Sequence, residues 1–217
     1  NRGDAATRGF FRLPEMLGNI TTLREITMVK NRWLLRGPIP PSLGNLTNLG
    51  MLNLSENKLT GIIPVELGNL TNLTGLSLAN NSLGKNQNGN VIPIGEGGGI
   101  PHQLGNLTNL KVLNLSRNEL RGGIPPALGN LTNLERLGLS ENPLDGPIPQ
   151  QLSQLANLKT LKLTSNDLTG IIPPELHNLT ELVYLDLSKN MLMEGIPWQL
   201  GNLTNLERLG LSENPLG

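Results

Sequence analysis

The 217-residue chain contains no cysteine. That absence excludes disulfides, thiolate metal sites and a cysteine nucleophile. Aromatic residues are nearly missing, with two Phe, two Trp and one Tyr, so the interior must be built from aliphatic side chains. Net charge is missing too: 17 Lys and Arg balance 17 Asp and Glu. A neutral chain lacks the strongly basic stripe that nucleic acid or an anionic membrane would require. No run approaches the roughly 18 apolar residues of a membrane span, and no charged-then-apolar leader opens the sequence. What is present is lopsided. Leucine occurs 47 times and asparagine 28 times. So many asparagines must have a structural task.

That task lies in a repeat, and repeats are sought first because they dictate the fold. From Pro40, a segment of 24 residues runs to Pro64, and the same frame starts again at Pro101, Pro125, Pro149 and Pro173. A longer copy spans Pro64 to Pro101, an irregular one Pro14 to Pro40, and a truncated one begins at Pro197. The shared pattern is P-x-x-L-G-N-L-T-N-L-x-x-L-x-L-S-x-N-x-L-x-G-x-I. Leu52/Leu54, Leu113/Leu115 and Leu161/Leu163 alternate with period two, which predicts a short strand with one buried face. Asparagine follows the strand at positions 57, 81, 118, 142, 166, 190 and 214, where its side chain can satisfy backbone groups inside a bend and stack into a ladder. L-x-G-x-I-P predicts a second extended stretch, bent at Gly and fixed by Pro. L-G-N-L-T-N-L spaces apolar residues three apart, as a turn of tight or 3₁₀ helix would. One copy cannot bury its own leucines, but a stack can.

With these residues in hand, the chain resembles plant-type leucine-rich repeat proteins, among them receptor-kinase ectodomains and polygalacturonase-inhibiting proteins. The resemblance implies an α/β solenoid: a right-handed superhelix with a concave parallel β-sheet and short 3₁₀ or helical turns on the convex side. It also implies binding through the curved surface. The expected organisation is an N-terminal loop or junction segment over 1–13, then a solenoid of about eight repeats over 14–217. An inserted loop falls near 84–99, and the last repeat is truncated. The paired-cysteine caps usual in such proteins are not visible. The ends therefore read as a cut from a longer array, as caps built without cysteine, or as surfaces covered by neighbouring copies in head-to-tail self-association. The first copy is two residues longer than the regular 24-residue repeats, with Trp33 and Leu34 crowding its turn. Residues Leu128–Leu144 and Leu200–Leu216 are identical, which reads as duplication of a repeat unit.

Catalytic chemistry finds no support in this pattern. His102 and His177 are three repeats apart, more than roughly 14 Å at strand spacing, so they cannot share a metal. Gly95-Glu96-Gly97-Gly98-Gly99 lacks the Lys-Ser/Thr of a phosphate cradle and reads as a flexible insertion. The serines of L-S-x-N have no adjacent base. Arg2-Gly3-Asp4 matches a cell-adhesion tripeptide only over three residues. No enzyme, cofactor or metal site is expected.

Binding is the remaining class. The non-leucine strand positions project onto the concave face, where Arg136, Lys162, Tyr184, Asp186 and Lys189 form the best candidate patch for a protein, peptide or glycan ligand. It holds the side-chain types that binding hot spots favour. Asn-x-Ser/Thr acceptor sites occur at Asn19, Asn45, Asn53, Asn69, Asn72, Asn80, Asn106, Asn114, Asn130, Asn178 and Asn202; in a secreted protein these are glycan candidates. The resemblance points to the extracellular space or cell surface, and the lack of cysteine to the cytoplasm as the alternative. A structural glycoprotein stacking head-to-tail into a filament or matrix is the second functional reading. An ice-binding surface would need a regular Thr array, which the concave columns do not show.

Overall fold

In a computed structural model of the chain, residues 10–31 and 34–217 are described; Trp33 and Arg2-Gly3-Asp4 lie outside them. Eight three-residue strands pair in parallel, in chain order, into one sheet. They are β1 (Glu25–Thr27), β3 (Met51–Asn53), β5 (Gly75–Ser77), β6 (Val112–Asn114), β7 (Arg136–Gly138), β9 (Thr160–Lys162), β11 (Tyr184–Asp186) and β13 (Arg208–Gly210). The register is uniform: the central leucines Leu52, Leu76, Leu113, Leu137, Leu161, Leu185 and Leu209 are Cα partners down the sheet. Parallel pairing without crossover helices is possible because each repeat returns by its own convex path.

That path is short. Each repeat enters a five-residue 3₁₀ turn behind its proline, as in Pro126–Asn130 after Pro125, whose φ of −62° suits the entry. The turn closes when Leu131 N–H donates to the Leu128 carbonyl, and L-T-N continues as open turn rather than as helix. The glycine of L-G-N is a packing requirement: a Cβ on Gly129 would sit 2.4 Å from the Gln151 carbonyl oxygen of the next repeat. The L-x-G-x-I stretches form a flanking layer. β2 (Arg36–Gly37) pairs with β4 (Lys58–Leu59), and β10 (Asp167–Ile171) lies between β8 (Asp145–Pro147) and β12 (Met191–Met193).

The leucines of all repeats merge into one core, and from Leu43 to Leu192 every leucine of that core is fully buried. Each such side chain contributes about 1.5–3 kcal/mol relative to exposure. Leu209, on the last strand, is 46% exposed.

Two asparagine ladders tie the repeats together. In the inner one, Asn142 donates from Nδ2 to the carbonyls of Leu139 in its own repeat and Leu115 in the preceding one, at 3.0 and 3.1 Å. Its Oδ1 accepts from Leu120 N–H at 3.1 Å. Asn81, Asn118, Asn166, Asn190 and Asn214 do the same, and Asn57 takes the Met28 carbonyl and the Asn31 N–H of the first repeat in place of leucine groups. The residue before each of these asparagines adopts a left-handed conformation, from Glu56 (φ 58°) to Glu213 (φ 57°). The outer ladder is exposed: Asn48, Asn72, Asn109, Asn133, Asn157 and Asn205 each donate to the carbonyl of the residue two before the corresponding leucine of the preceding repeat, at 2.8–2.9 Å.

The insertion near 84–99 carries backbone pairing of its own. Lys85 and Val91 form an antiparallel bridge, Asn86 N–H bonds the Asn90 carbonyl, and a 3₁₀ turn over Ile94–Glu96 ends at Gly97 with φ 89°. Asn86 Oδ1 accepts from the Asn88 and Asn90 amides, which closes the hairpin without a hydrophobic core of its own.

Candidate functional site

The parallel sheet turns one side chain from every second strand position away from the leucine core. Stacking at roughly 4.8 Å then places equivalent positions of successive repeats in columns. The column between the inward leucines varies in length, from Asn114 and Lys162 to two glycines, Gly138 and Gly210. On β7 the position between the two inward leucines is Gly138, and the sheet dips there between Asn114 and Lys162 into a recess of about 460 Å³. Arg136 and Tyr184 stand along one side of it, and Ser116, Ser140 and Thr164 along the other.

The electrostatics of the recess follow from who is already paired. Asp186 is occupied: its Oδ1 accepts from the Ser188 amide at 3.1 Å and from the Ser188 hydroxyl, and its Oδ2 from the Tyr184 hydroxyl at 3.4 Å. Glu141 at the rim accepts from Arg117 Nε at 2.8 Å. Lys162 Nζ lies 4.9 Å from the centre of the Tyr184 ring, a cation–π placement. Arg136 and Lys162 enter no ion pair among the described residues. The acids are used up and the two cations are not. At the bottom, the Ser140 side chain is 6% exposed and its Oγ has no hydrogen-bond partner; a buried hydroxyl left unpaired costs about 1–3 kcal/mol.

Of the five patch residues read from the sequence, Arg136, Lys162, Tyr184 and Asp186 come together around this recess. Lys189 does not. It sits in the left-handed column beyond the strand and its Nζ is 3.6 Å from Glu213. Gly138 and Ser140 carry no chemical signal in the sequence, a glycine and a consensus serine; the recess at Gly138 shows only when Asn114 and Lys162 stand on either side of it.

The acceptor-site asparagines fall into separate settings. Asn19, Asn45, Asn69, Asn106, Asn130, Asn178 and Asn202 end the 3₁₀ turns and are exposed. Asn72 is exposed, but its amide is spent on the Thr47 carbonyl at 2.8 Å. Asn53 and Asn114 are half-buried on the concave face, each accepting from the amide two residues on. Asn80 is half-buried in a left-handed turn. His177 bonds the Pro174 carbonyl at 2.8 Å within its own turn, far from His102 in sequence and three repeats away.

Three stretches match leucine-rich repeat family models: residues 108–156, described as two copies of the repeat, residues 148–192 and residues 48–70. A search of curated protein sequences returns no match. Solved structures do align. The leucine-rich repeat ectodomain of the Arabidopsis receptor kinase HAESA, in complex with an N-terminally extended IDA peptide hormone, is 36% identical with a TM-score of 0.80. The alignment covers 95% of this chain and 32% of that one. A leucine-rich repeat protein of Leptospira interrogans is 35% identical at a TM-score of 0.73, over 94% of this chain and 46% of the other. A plant ice-binding protein is 29% identical at 0.74, over 98% of this chain and 71% of the other. The chain therefore spans about a third of the length of the plant receptor ectodomain it matches.

Proposed function

We propose, for a chain that is a leucine-rich repeat protein, that it is a non-enzymatic recognition module working outside the cell, and that its ligand is an extended peptide or protein segment carrying an acidic group. The observation that carries this reading is the concave recess at Gly138, with Arg136 and Lys162 unneutralised beside it and Ser140 Oγ unpaired below. A carboxylate entering from the open side would meet both cations and displace only water. Tyr184 supplies a flat apolar wall for the residue next to it, as aromatic anchors do at interaction hot spots. Relatives solved with peptide hormones support a peptide as the ligand. The test is selection from a random peptide library on the whole chain. Enrichment of acidic peptides that lose binding in a Arg136→Gln/Lys162→Gln variant supports the reading; peptides that bind that variant equally well refute it.

A second reading rests on a different surface. Thr47, Thr71, Thr108, Thr132, Thr180 and Thr204 form an exposed column where each 3₁₀ turn gives way to the next strand. Beside them runs the outer asparagine ladder, whose amides are pinned to the preceding repeat. The regular Thr array absent from the concave face is thus present on this edge, rigid and at about the 4.8 Å strand spacing. Such an array suits an ordered water lattice, and a plant ice-binding protein is among the similar structures. Two positions interrupt it, Ala156 in the Thr column and Glu181 in the Asn column. If ice is a ligand, Ala156→Thr/Glu181→Asn increases inhibition of ice recrystallisation above wild type. Absence of any such inhibition in the wild type removes this reading.

A further inference from the structure

A second recess lies on the flanking layer and shares no lining residue with the one at Gly138. β2 and β4 pair in parallel with Arg36 and Lys58 as direct Cα partners. A third cation joins them. The Arg12 side chain lies across Gly37, where a Cβ would come within 3.3–3.4 Å of its Cγ, Cδ and Nε; Gly37, at φ 85°, leaves that passage open. The Arg12 guanidinium is held by Nη2 donating to Gln87 Oε1 of the folded insertion at 3.0 Å. The Arg36 guanidinium is held differently, stacked 3.9 Å above the ring of Phe10, with its Nε enclosed and without a hydrogen-bond partner.

These groups surround a recess of about 310 Å³ whose described lining contains no carboxylate. Polar, uncharged groups complete it: the Thr60 and Ser82 hydroxyls and the Gln87 amide, with Thr60 Oγ1 itself unpaired. A neutral chain has concentrated three cations at one place and fixed two of the guanidinium groups in position before any partner arrives. Guanidinium forks match the geometry of oxoanions. The hydroxyl and amide groups match sugar hydroxyls, and the exposed Phe10 ring offers a face on which a sugar ring can lie.

We propose that this recess binds an acidic oligosaccharide, with a carboxylate or sulfate oxygen of the sugar between Arg12 and Arg36. The site rests on those two arginines. It is independent of the concave recess, so either can fail without the other.

The test is calorimetric titration of the whole chain with two probes, an oligogalacturonate and a sulfated heparin-type tetrasaccharide, at low and physiological salt. Binding of either probe that weakens with salt, falls at least tenfold in Arg12→Gln and in Arg36→Gln, and is unchanged in Arg136→Gln/Lys162→Gln supports the proposal. Which probe binds identifies the anion as carboxylate or sulfate. Arg12→Gln alters an exposed side chain and keeps the wild-type melting temperature, so its loss of binding is not a folding effect. No binding of either probe, binding that ignores both arginine substitutions, or equal competition by a single-stranded oligonucleotide overturns it.

Discussion

The two asparagine ladders use one side chain and one kind of bond, yet they are not equivalent. Inner asparagines such as Asn142, 4% exposed, satisfy both an amide and several carbonyls that water cannot reach. Outer asparagines such as Asn133 make one bond, to the Thr108 carbonyl at 2.8 Å, in full view of solvent. Water can replace the outer bond but not the inner set. The inner ladder therefore holds the fold, while the outer one fixes the spacing of a surface. The same division runs through the molecule: residues that repeat and are buried set the frame, and residues that vary and are exposed are available to function.

The comparison can be broken from several sides. The largest effect belongs to the core on which both ladders rest: Leu137→Asp places an unpaired charge where leucine is fully buried. Its cost of several kcal/mol removes the cooperative melt seen by circular dichroism. Next comes Asn142→Ala, which strands a buried amide and carbonyls and lowers stability by about 3 kcal/mol, read as the shift in urea midpoint. Asn133→Ala in the outer ladder should cost only about 0.5–1 kcal/mol in the same titration. Equal losses for the two asparagines would erase the distinction. The smallest effect is a gain. Glu181 occupies an asparagine slot of the outer ladder, so Glu181→Asn supplies a donor facing the Ala156 carbonyl and stabilises by roughly 0.5–1 kcal/mol.

Much of this was legible in the sequence, for reasons visible at particular residues. Period-two leucines such as Leu113/Leu115 and the asparagine that follows them gave the strand, the bend and the inner ladder, because burial and backbone satisfaction leave few alternatives. Column arithmetic brought Arg136, Lys162, Tyr184 and Asp186 to one face. It placed Lys189 with them because strand periodicity takes no account of the left-handed residue that ends the strand, where φ is 56°. The outer ladder was hidden inside N-L-T-N, which also spells a glycan acceptor. The pairing in the insertion was hidden because Asn86 caps its hairpin through its own side chain. The flank cations were invisible for another reason: Arg12, Arg36 and Lys58 are brought together only by the stacking of repeats.

The central claim is that recognition occurs where a varying column dips, at Gly138. Gly138→Phe fills that dip; its new Cβ would lie 3.1 Å from Ser116 Oγ and 2.9 Å from Asn114 Oδ1, which must shift from the Ser116 amide it accepts from, at a cost of about 1 kcal/mol. The deciding measurement is calorimetric titration of this variant with an acidic peptide selected on the wild-type chain, alongside its melting temperature. The account predicts a melt within a few degrees of wild type and a loss of about 3 kcal/mol in binding, roughly 100-fold. Undiminished binding by a variant that melts like wild type would contradict it.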